Sequence, residues 1–279
     1  MDVTEIFKDA FKYSTGDWGK ITILGLLIFG ILILAFLTGI SAIFGQFIAV
    51  AIFGAITAIF SIIIGLVYYG YGLSVIKDTI VNPNVSVEGQ KRQLPEFEWS
   101  ENIIDGFKVL ILSIVYMIIP IIVAIVLYYL LGVSNASSLN QTLNLYNQTN
   151  GLQIPYMMST VYMGALGFSM FIVHTVTVIL SIIFSLFAII AMGRLAETGK
   201  LGSIFEFGEI SNTISKIGWG NYIIWFILLY IIVILISLVA ALVIFIPIIG
   251  IIAYLLIVPA FLLVFRSRAI GLIYNESKK

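Results

Sequence analysis

The chain has 279 residues, of which 61% are hydrophobic and only 10% are charged. This composition, with a mean hydropathy of +1.14, leaves too little polar surface to coat a water-soluble globule, so it predicts an all-α integral membrane protein. The 14 basic and 14 acidic side chains balance, and the chain has one histidine and no cysteine. A basic nucleic-acid-binding surface, disulfides and thiol chemistry are therefore excluded, and we expect neither a metal nor another cofactor.

The first 20 residues predict an amphipathic helix that lies in the membrane interface. Apolar residues recur at helical spacing at Val3, Ile6, Phe7, Ala10, Phe11 and Trp18, whereas Asp2, Glu5, Lys8, Asp9 and Lys12 are assigned to the other faces. This segment carries four acids and precedes an apolar run that is too long for the core of a signal peptide. We therefore expect it to remain in the mature protein.

Apolar runs long enough to cross a bilayer core of about 30 Å occur six times along the chain. Residues 21–76 predict two spans with a turn at "TGISAIFGQF", 107–132 a third, about 158–192 a fourth, and 221–270 two more with a turn at "FIPIIG". The sequence thus predicts a polytopic protein with six transmembrane helices, in which residues 1–279 form a single membrane domain.

Charged residues lie on only one predicted side of the membrane. All the Lys and Arg residues fall within 1–20, 77–108, 193–220 and 266–279, which six spans would place together. The excess of basic residues in cytoplasmic loops predicts that this side, with both termini, faces the cytoplasm, in the plasma membrane. Arg266 and Arg268 at the end of the sixth span are expected to extend their charges out to the interface.

The chain also predicts three parallel repeats, each an interfacial amphipathic helix followed by a transmembrane hairpin. Their approximate limits are 1–80, 94–195 and 203–279, and "GWGN" at 218–221 resembles "DWGK" at 17–20. In the second copy, Glu96, Glu98, Glu101 and Asp105 adjoin the third span directly. We interpret these acids as the water-facing side of a helix that turns from the interface into the membrane; the alternative is a cluster that binds a cation or transfers protons.

The predicted exterior loop, residues 132–157, contains no ionisable side chain other than tyrosine. Three N-x-S/T sequons begin in it, at Asn135, Asn140 and Asn147. One interpretation is a glycosylated exterior segment, and the other is an asparagine-rich loop in which sequons arise by chance. The sequence leaves both open.

One face of the predicted fourth span is polar, with His174, Thr177, Ser181 and Ser185 at steps of three, four and four residues. Such a face can line a path for a solute or carry a titratable switch at His174. Small polar side chains also serve as hydrogen-bonding contacts between membrane helices, and this interpretation is favoured.

Residues 72–120 contain the stretches "GLSVIKDTI" and "LPEFEWSENIIDGFKVLILSIVYMIIP". The residues that stand out are Leu94, Pro95, Glu96, Phe97, Trp99, Gly106, Tyr116 and Pro120. This motif resembles the prokaryotic membrane-protein family known as domain of unknown function 4013, which is frequent in methanogenic archaea. The resemblance implies no activity, substrate or catalytic residue. The layout is more loosely similar to the membrane domains that accompany some glycerophosphodiester phosphodiesterases, whose catalytic domain has no counterpart here.

These patterns favour a non-enzymatic membrane module that interacts with lipids, or with a membrane-protein partner or a second copy, through its cytoplasmic interfacial helices. The alternative is a transporter or channel for a neutral or apolar solute that uses the polar face of the fourth span. A third hypothesis is a lipid-acting enzyme with Asp78, Glu96 or Glu98 as catalysts. It ranks last because the sequence shows no catalytic constellation.

Overall fold

The structure is a computed structural model that describes residues 2–83, 93–148, 155–247 and 249–279. Within these ranges the secondary structure is helical, with no strand, so the predicted all-α class is confirmed. The α-helices are α1 (Val3–Ser14), α2 (Trp18–Ile43), α3 (Phe47–Val81), α4 (Trp99–Gln148), α5 (Pro155–Thr198), α6 (Phe207–Ile217), α7 (Trp219–Ala241) and α8 (Ile249–Glu276). Short 3-10 helices at Leu201–Phe205 and Leu242–Phe245 precede α6 and follow α7.

Among the described residues, six helices are long and apolar enough to cross a membrane, namely α2, α3, α4, α5, α7 and α8. The six predicted spans are therefore confirmed in number and order, and the protein is multi-pass. Several helices exceed the predicted limits. The 35 residues of α3 measure about 52 Å at 1.5 Å per residue, which is longer than the hydrocarbon core of about 30 Å. Because α3 is longer than the hydrocarbon core, its last turns can lie outside the core, and these turns contain the charged residues Lys77 and Asp78.

Residue contacts divide the chain into two compact units. One comprises Met1–Leu112 together with Phe187–Lys279, and the other comprises Ser113–Leu186. In the first unit α8 is the central helix, because α1, α2, α3 and α7 all pack against it. The second unit consists of the later part of α4 and the earlier part of α5. The threefold repeat stays a prediction.

Two short amphipathic helices stand directly before spans, as predicted for the first and third copies. Helix α1 ends at Ser14, and Asp17 caps the start of α2 by accepting a hydrogen bond from the Lys20 backbone N–H at 3.1 Å. Helix α6 is joined to α7 by Gly218 alone. That residue has a φ of +92°, a conformation that favours glycine, so the chain can turn sharply between the two helices.

The second copy differs from this arrangement. Residues 93–98 are irregular, and α4 begins at Trp99 and continues without a break through the third span. The segment with Glu101 and Asp105 is therefore the first part of the span helix and not a separate interfacial helix. No proline or second glycine separates Gly106 from the apolar run, so nothing in the sequence ends the helix there.

The predicted exterior loop is also helical in the part that the structure describes. Helix α4 extends to Gln148, 16 residues beyond the predicted end of the span at 132. Residues 133–148 include no glycine or proline, and their alanine, leucine and glutamine residues are compatible with a helix. Polarity marks where the apolar run stops, but it does not by itself stop a helix. The rest of that loop includes residues 149–154, which lie outside the described residues.

Candidate functional site

Ion pairs join the charged segments at one end of the first unit. They are Lys20–Glu96, Lys77–Glu101, Lys77–Asp105, Lys108–Asp105, Arg194–Glu206, Lys278–Glu197 and Arg268–Asp9. These pairs connect the start of α2, the end of α3, the start of α4, the end of α5 and the end of α8. The segments predicted to share one side of the membrane therefore lie together. That this side faces the cytoplasm stays a prediction.

The most deeply buried of these pairs links α1 to α8. The Arg268 side chain is 0% exposed, the Asp9 side chain is 6% exposed, and Arg268 Nε donates a hydrogen bond to Asp9 Oδ1 at 2.8 Å. The two Arg268 Nη groups also donate to the backbone carbonyls of Asn82 and Pro83, at 3.3 and 3.2 Å. The expectation that Arg268 extends to the interface is therefore wrong, and so is the assignment of Asp9 to a water-facing side of α1. Arg266 is exposed.

Tyr13 extends this buried network from α1 to α3. Its ring lies 4.7 Å below the Arg268 guanidinium, and its hydroxyl donates a hydrogen bond to Asp78 Oδ2 at 2.8 Å. Burial, and then the charge of Asp78, raises the pKa of Tyr13 above its ordinary value. Asp78 also accepts a hydrogen bond from the Asn82 side chain at 3.1 Å. Asp78 thus accepts hydrogen bonds from two side chains, one on α1 and one at the end of α3.

The "LPEF" part of the motif, residues 94–97, lies in the irregular segment before α4 and packs against α2 and α3. Leu94 is buried in a core cluster that includes Tyr13, Ile21 and Tyr71. Tyr71 donates a hydrogen bond to the Pro95 carbonyl at 3.0 Å, and its ring stacks on Phe97 with centroids 4.4 Å apart. Lys20 Nζ donates to the Leu94 carbonyl, and to Glu96 at 2.9 Å. Within the described residues, these contacts give the motif a structural role that its sequence alone does not show.

Gly106, a later residue of the motif, lies where α3 and α4 come into close contact. A Cβ atom at Gly106 would lie 1.9 Å from the Leu66 carbonyl oxygen. A Cβ atom at Gly70 on α3 would lie 1.8 Å from the Asn102 carbonyl oxygen. Both positions therefore require glycine for the two backbones to approach this closely.

The acids beside the third span are mostly neutralised by lysines. Lys77 contacts both Glu101, at 3.1 Å, and the buried Asp105, which also pairs with Lys108 at 2.9 Å. A side-chain hydrogen bond with Glu101, and then the charge of that residue, raises the pKa of Glu98. Across the described parts of the chain, no three His, Asp or Glu side chains are grouped so as to hold a metal ion. The arrangement favours the interpretation as partnered charges at a helix start over a cation site.

A groove runs along α1 where it packs beside α7. It is lined by Thr4, Phe7, Lys8, Phe11, Leu228 and Ile232 and has a volume of about 430 Å³. Phe7 anchors α1 at this position, because its ring stacks on Trp225 of α7 with centroids 6.4 Å apart. The sequence could not show the groove, since its two walls are more than 200 residues apart along the chain.

The family model described as "Protein of unknown function (DUF4013)" matches residues 53–265. This range covers most of the chain and includes most of α3, the motif, and all of α4, α5, α6 and α7. The chain belongs to this family. No curated protein and no solved structure matches the chain. Helices α1 and α2 precede the matched range, so the α1 wall of the groove lies outside it in this DUF4013 protein.

The polar face of the fourth span lies in the second unit of the DUF4013 protein. His174 is exposed, and Thr177, Ser181 and Ser185 are half-buried. The Thr177 hydroxyl donates to the Val173 carbonyl at 2.7 Å, and the Ser185 hydroxyl donates to the Ile182 carbonyl at 2.8 Å. Both hydroxyls are thus satisfied by their own helix, as is common for Ser and Thr in membrane helices. This supports a structural role for the hydroxyls.

The three exterior sequons differ in their surroundings. Asn135 is buried in α4, and its amide nitrogen donates a hydrogen bond to the Ser169 hydroxyl at 3.0 Å. Glycosylation of Asn135 would require that nitrogen, so the structure disfavours modification there. Asn140 and Asn147 are exposed on the last turns of α4, where glycosylation stays a prediction.

Proposed function

We propose that this DUF4013 protein is a non-enzymatic module of the cytoplasmic membrane that binds lipids through the interfacial helices at its charged end. The observation that carries this proposal is the position of three tryptophans. Trp18, Trp99 and Trp219 are the first residues of α2, α4 and α7, and they are 50%, 51% and 39% exposed. Tryptophan is enriched at membrane–water interfaces, where its ring contacts acyl chains and its N–H contacts headgroups.

The amphipathic helices beside two of these tryptophans support the proposal. Helix α1 precedes Trp18 and exposes Phe11, while the segment before Trp219 exposes Phe205 and Phe207. Exposed aromatic rings on helices that are otherwise polar on their outer faces are typical of segments that lie at headgroup depth. The partnered state of Asp78, Glu101 and Asp105 supports a role other than acid–base catalysis.

Native mass spectrometry of the protein released from its own membrane tests this proposal. We expect stoichiometric phospholipid to remain bound, with a headgroup distribution that differs from that of the source membrane, because interfacial tryptophans and lysines contact headgroups directly. A control membrane protein from the same membrane, released in the same detergent, gives the background. Lipid retained only in proportion to membrane abundance would contradict the proposal.

The alternative proposal is transport of a neutral or apolar solute along the polar face of the fourth span. The exposed His174 is the observation in its favour. Because His174 is exposed, we expect the free energy of unfolding of His174→Ala to lie within about 0.5 kcal/mol of the wild-type value. The hydroxyls of Thr177 and Ser185 should be unaffected, since they are bonded to their own helix. The measurement is thermal unfolding with and without a panel of neutral solutes. A solute-dependent shift that the substitution abolishes would favour transport.

A further inference from the structure

We propose that the α1–α7 groove binds one acyl chain of an anionic phospholipid, whose headgroup phosphate contacts Lys8. This inference rests on the proposed lipid-binding function and assigns it to one site. The occupant is a single lipid molecule, held at the junction between an interfacial helix and a membrane span.

The lining of the groove fits a molecule that is apolar along its length and charged at one end. Phe7, Phe11, Leu228 and Ile232 provide apolar walls, and only Thr4 and Lys8 contribute polar atoms. The volume of about 430 Å³ lies within the range of roughly 300–1,000 Å³ that is typical of small-ligand sites. A headgroup without an acyl chain would leave these apolar walls uncovered.

The charge of Lys8 indicates an anionic headgroup. Lys8 is exposed, and it forms no hydrogen bond or ion pair with another residue in the ranges that the structure describes. Asp2 is already bound by the Thr4 hydroxyl at 2.6 Å. The pKa of Asp2 is lowered first by that hydrogen bond and only last by the charge of Lys8. None of the six described residues that line the groove is acidic, so its charge is complementary to a phosphate.

The position of α1 favours a membrane lipid over a second copy of the chain. Trp18 begins the span that follows α1 and is exposed, which is typical of a segment at headgroup depth, whereas Leu228 and Ile232 lie 9 and 13 residues into α7. The groove therefore leads from the α1 interface towards the acyl chains. At that depth, phospholipids are already present at high concentration, whereas a second copy would have to match both the apolar walls and the lysine.

The test titrates the full-length protein in detergent with phosphatidylglycerol and phosphatidylcholine of identical acyl chains, and scores bound lipid by native mass spectrometry. We expect the wild type to prefer phosphatidylglycerol. Lys8→Gln should lower that preference about fivefold, the effect of one lysine near an anionic surface, whereas Lys12→Gln on the same helix should not. Ile232→Trp should fill the groove and lower retention of both lipids, while Ile231→Trp, next to it but outside the lining, should not.

The outcomes separate this inference from the proposed function. Unchanged binding in either Lys8→Gln or Ile232→Trp would overturn the assignment to this groove, even if the wild type retains lipid. A wild type that retains neither phospholipid would overturn both the groove assignment and the proposed function. Thermal unfolding of each variant identifies any loss of binding that follows from a loss of folding, and Leu228→Phe then provides a milder filling of the same groove.

Discussion

Arg268→Met is expected to destabilise the protein by about 3–5 kcal/mol, the range measured when one partner of a buried ion pair is removed. The Asp9 carboxyl would lose its guanidinium partner at a site where only 6% of its side chain is exposed. The carbonyls of Asn82 and Pro83 would also lose their donors. Chemical or thermal unfolding in detergent measures the change.

Two variants test whether burial of the charge is the cause. Arg266→Met, two residues away and exposed, should change the free energy of unfolding by no more than about 0.5 kcal/mol. The double variant Asp9→Leu/Arg268→Met should recover much of the lost stability, because apolar replacements of both partners leave no buried charge. If Arg268→Met and Arg266→Met have the same free energy of unfolding, the ion pair does not stabilise the protein.

Gly106→Ala is expected to cost at least about 1–3 kcal/mol, the usual penalty for an overpacked contact. The added Cβ would lie 1.9 Å from the Leu66 carbonyl oxygen, so α3 and α4 would have to separate. Gly70→Ala, on the other side of the same crossing, should have a similar effect, since its Cβ would lie 1.8 Å from the Asn102 carbonyl oxygen.

The matched control is Gly132→Ala in the same helix. Apart from its own helical turns, no atom of the described residues lies within 4 Å of a Cβ built at Gly132, so that substitution should be neutral or stabilising by up to about 1 kcal/mol through helix propensity. The free energy of unfolding of all three variants gives the comparison. A Gly106→Ala protein as stable as Gly132→Ala would show that the close approach of α3 and α4 is not required.

The number and order of the spans could be predicted because each span is specified by a single continuous stretch of the sequence. A run of about 20 apolar residues is enough to specify a span, and the turn between α2 and α3 is marked by Gly45, whose φ is +67°. The amphipathic helix α1 is also visible in the sequence, because its apolar residues recur at helical spacing. Each of these signals lies within a single stretch of the chain.

The buried charges could not be predicted from such local patterns. A charged residue in an amphipathic helix is expected to face water, yet Asp9 is buried because Arg268 of α8 packs against it. In the same way, the motif at 94–97 was visible in the sequence, but its contacts with Lys20 and Tyr71 depend on how α2 and α3 pack. The start of α4 differs from the prediction because acidic residues next to a span suggest an interfacial segment, whereas Glu101 and Asp105 here pair with Lys77 of α3.

The Asp9–Arg268 pair also constrains the order in which the protein can assemble. The two residues are separated by 259 positions, so α1 leaves the ribosome long before its partner on the sixth span is synthesised. Until α8 has inserted, Asp9 has no guanidinium to compensate it, and the amphipathic helix is free to remain at the membrane surface. The docking of α1 on α8 therefore follows the synthesis and insertion of α8, so the packing of the first unit depends on that helix being in place.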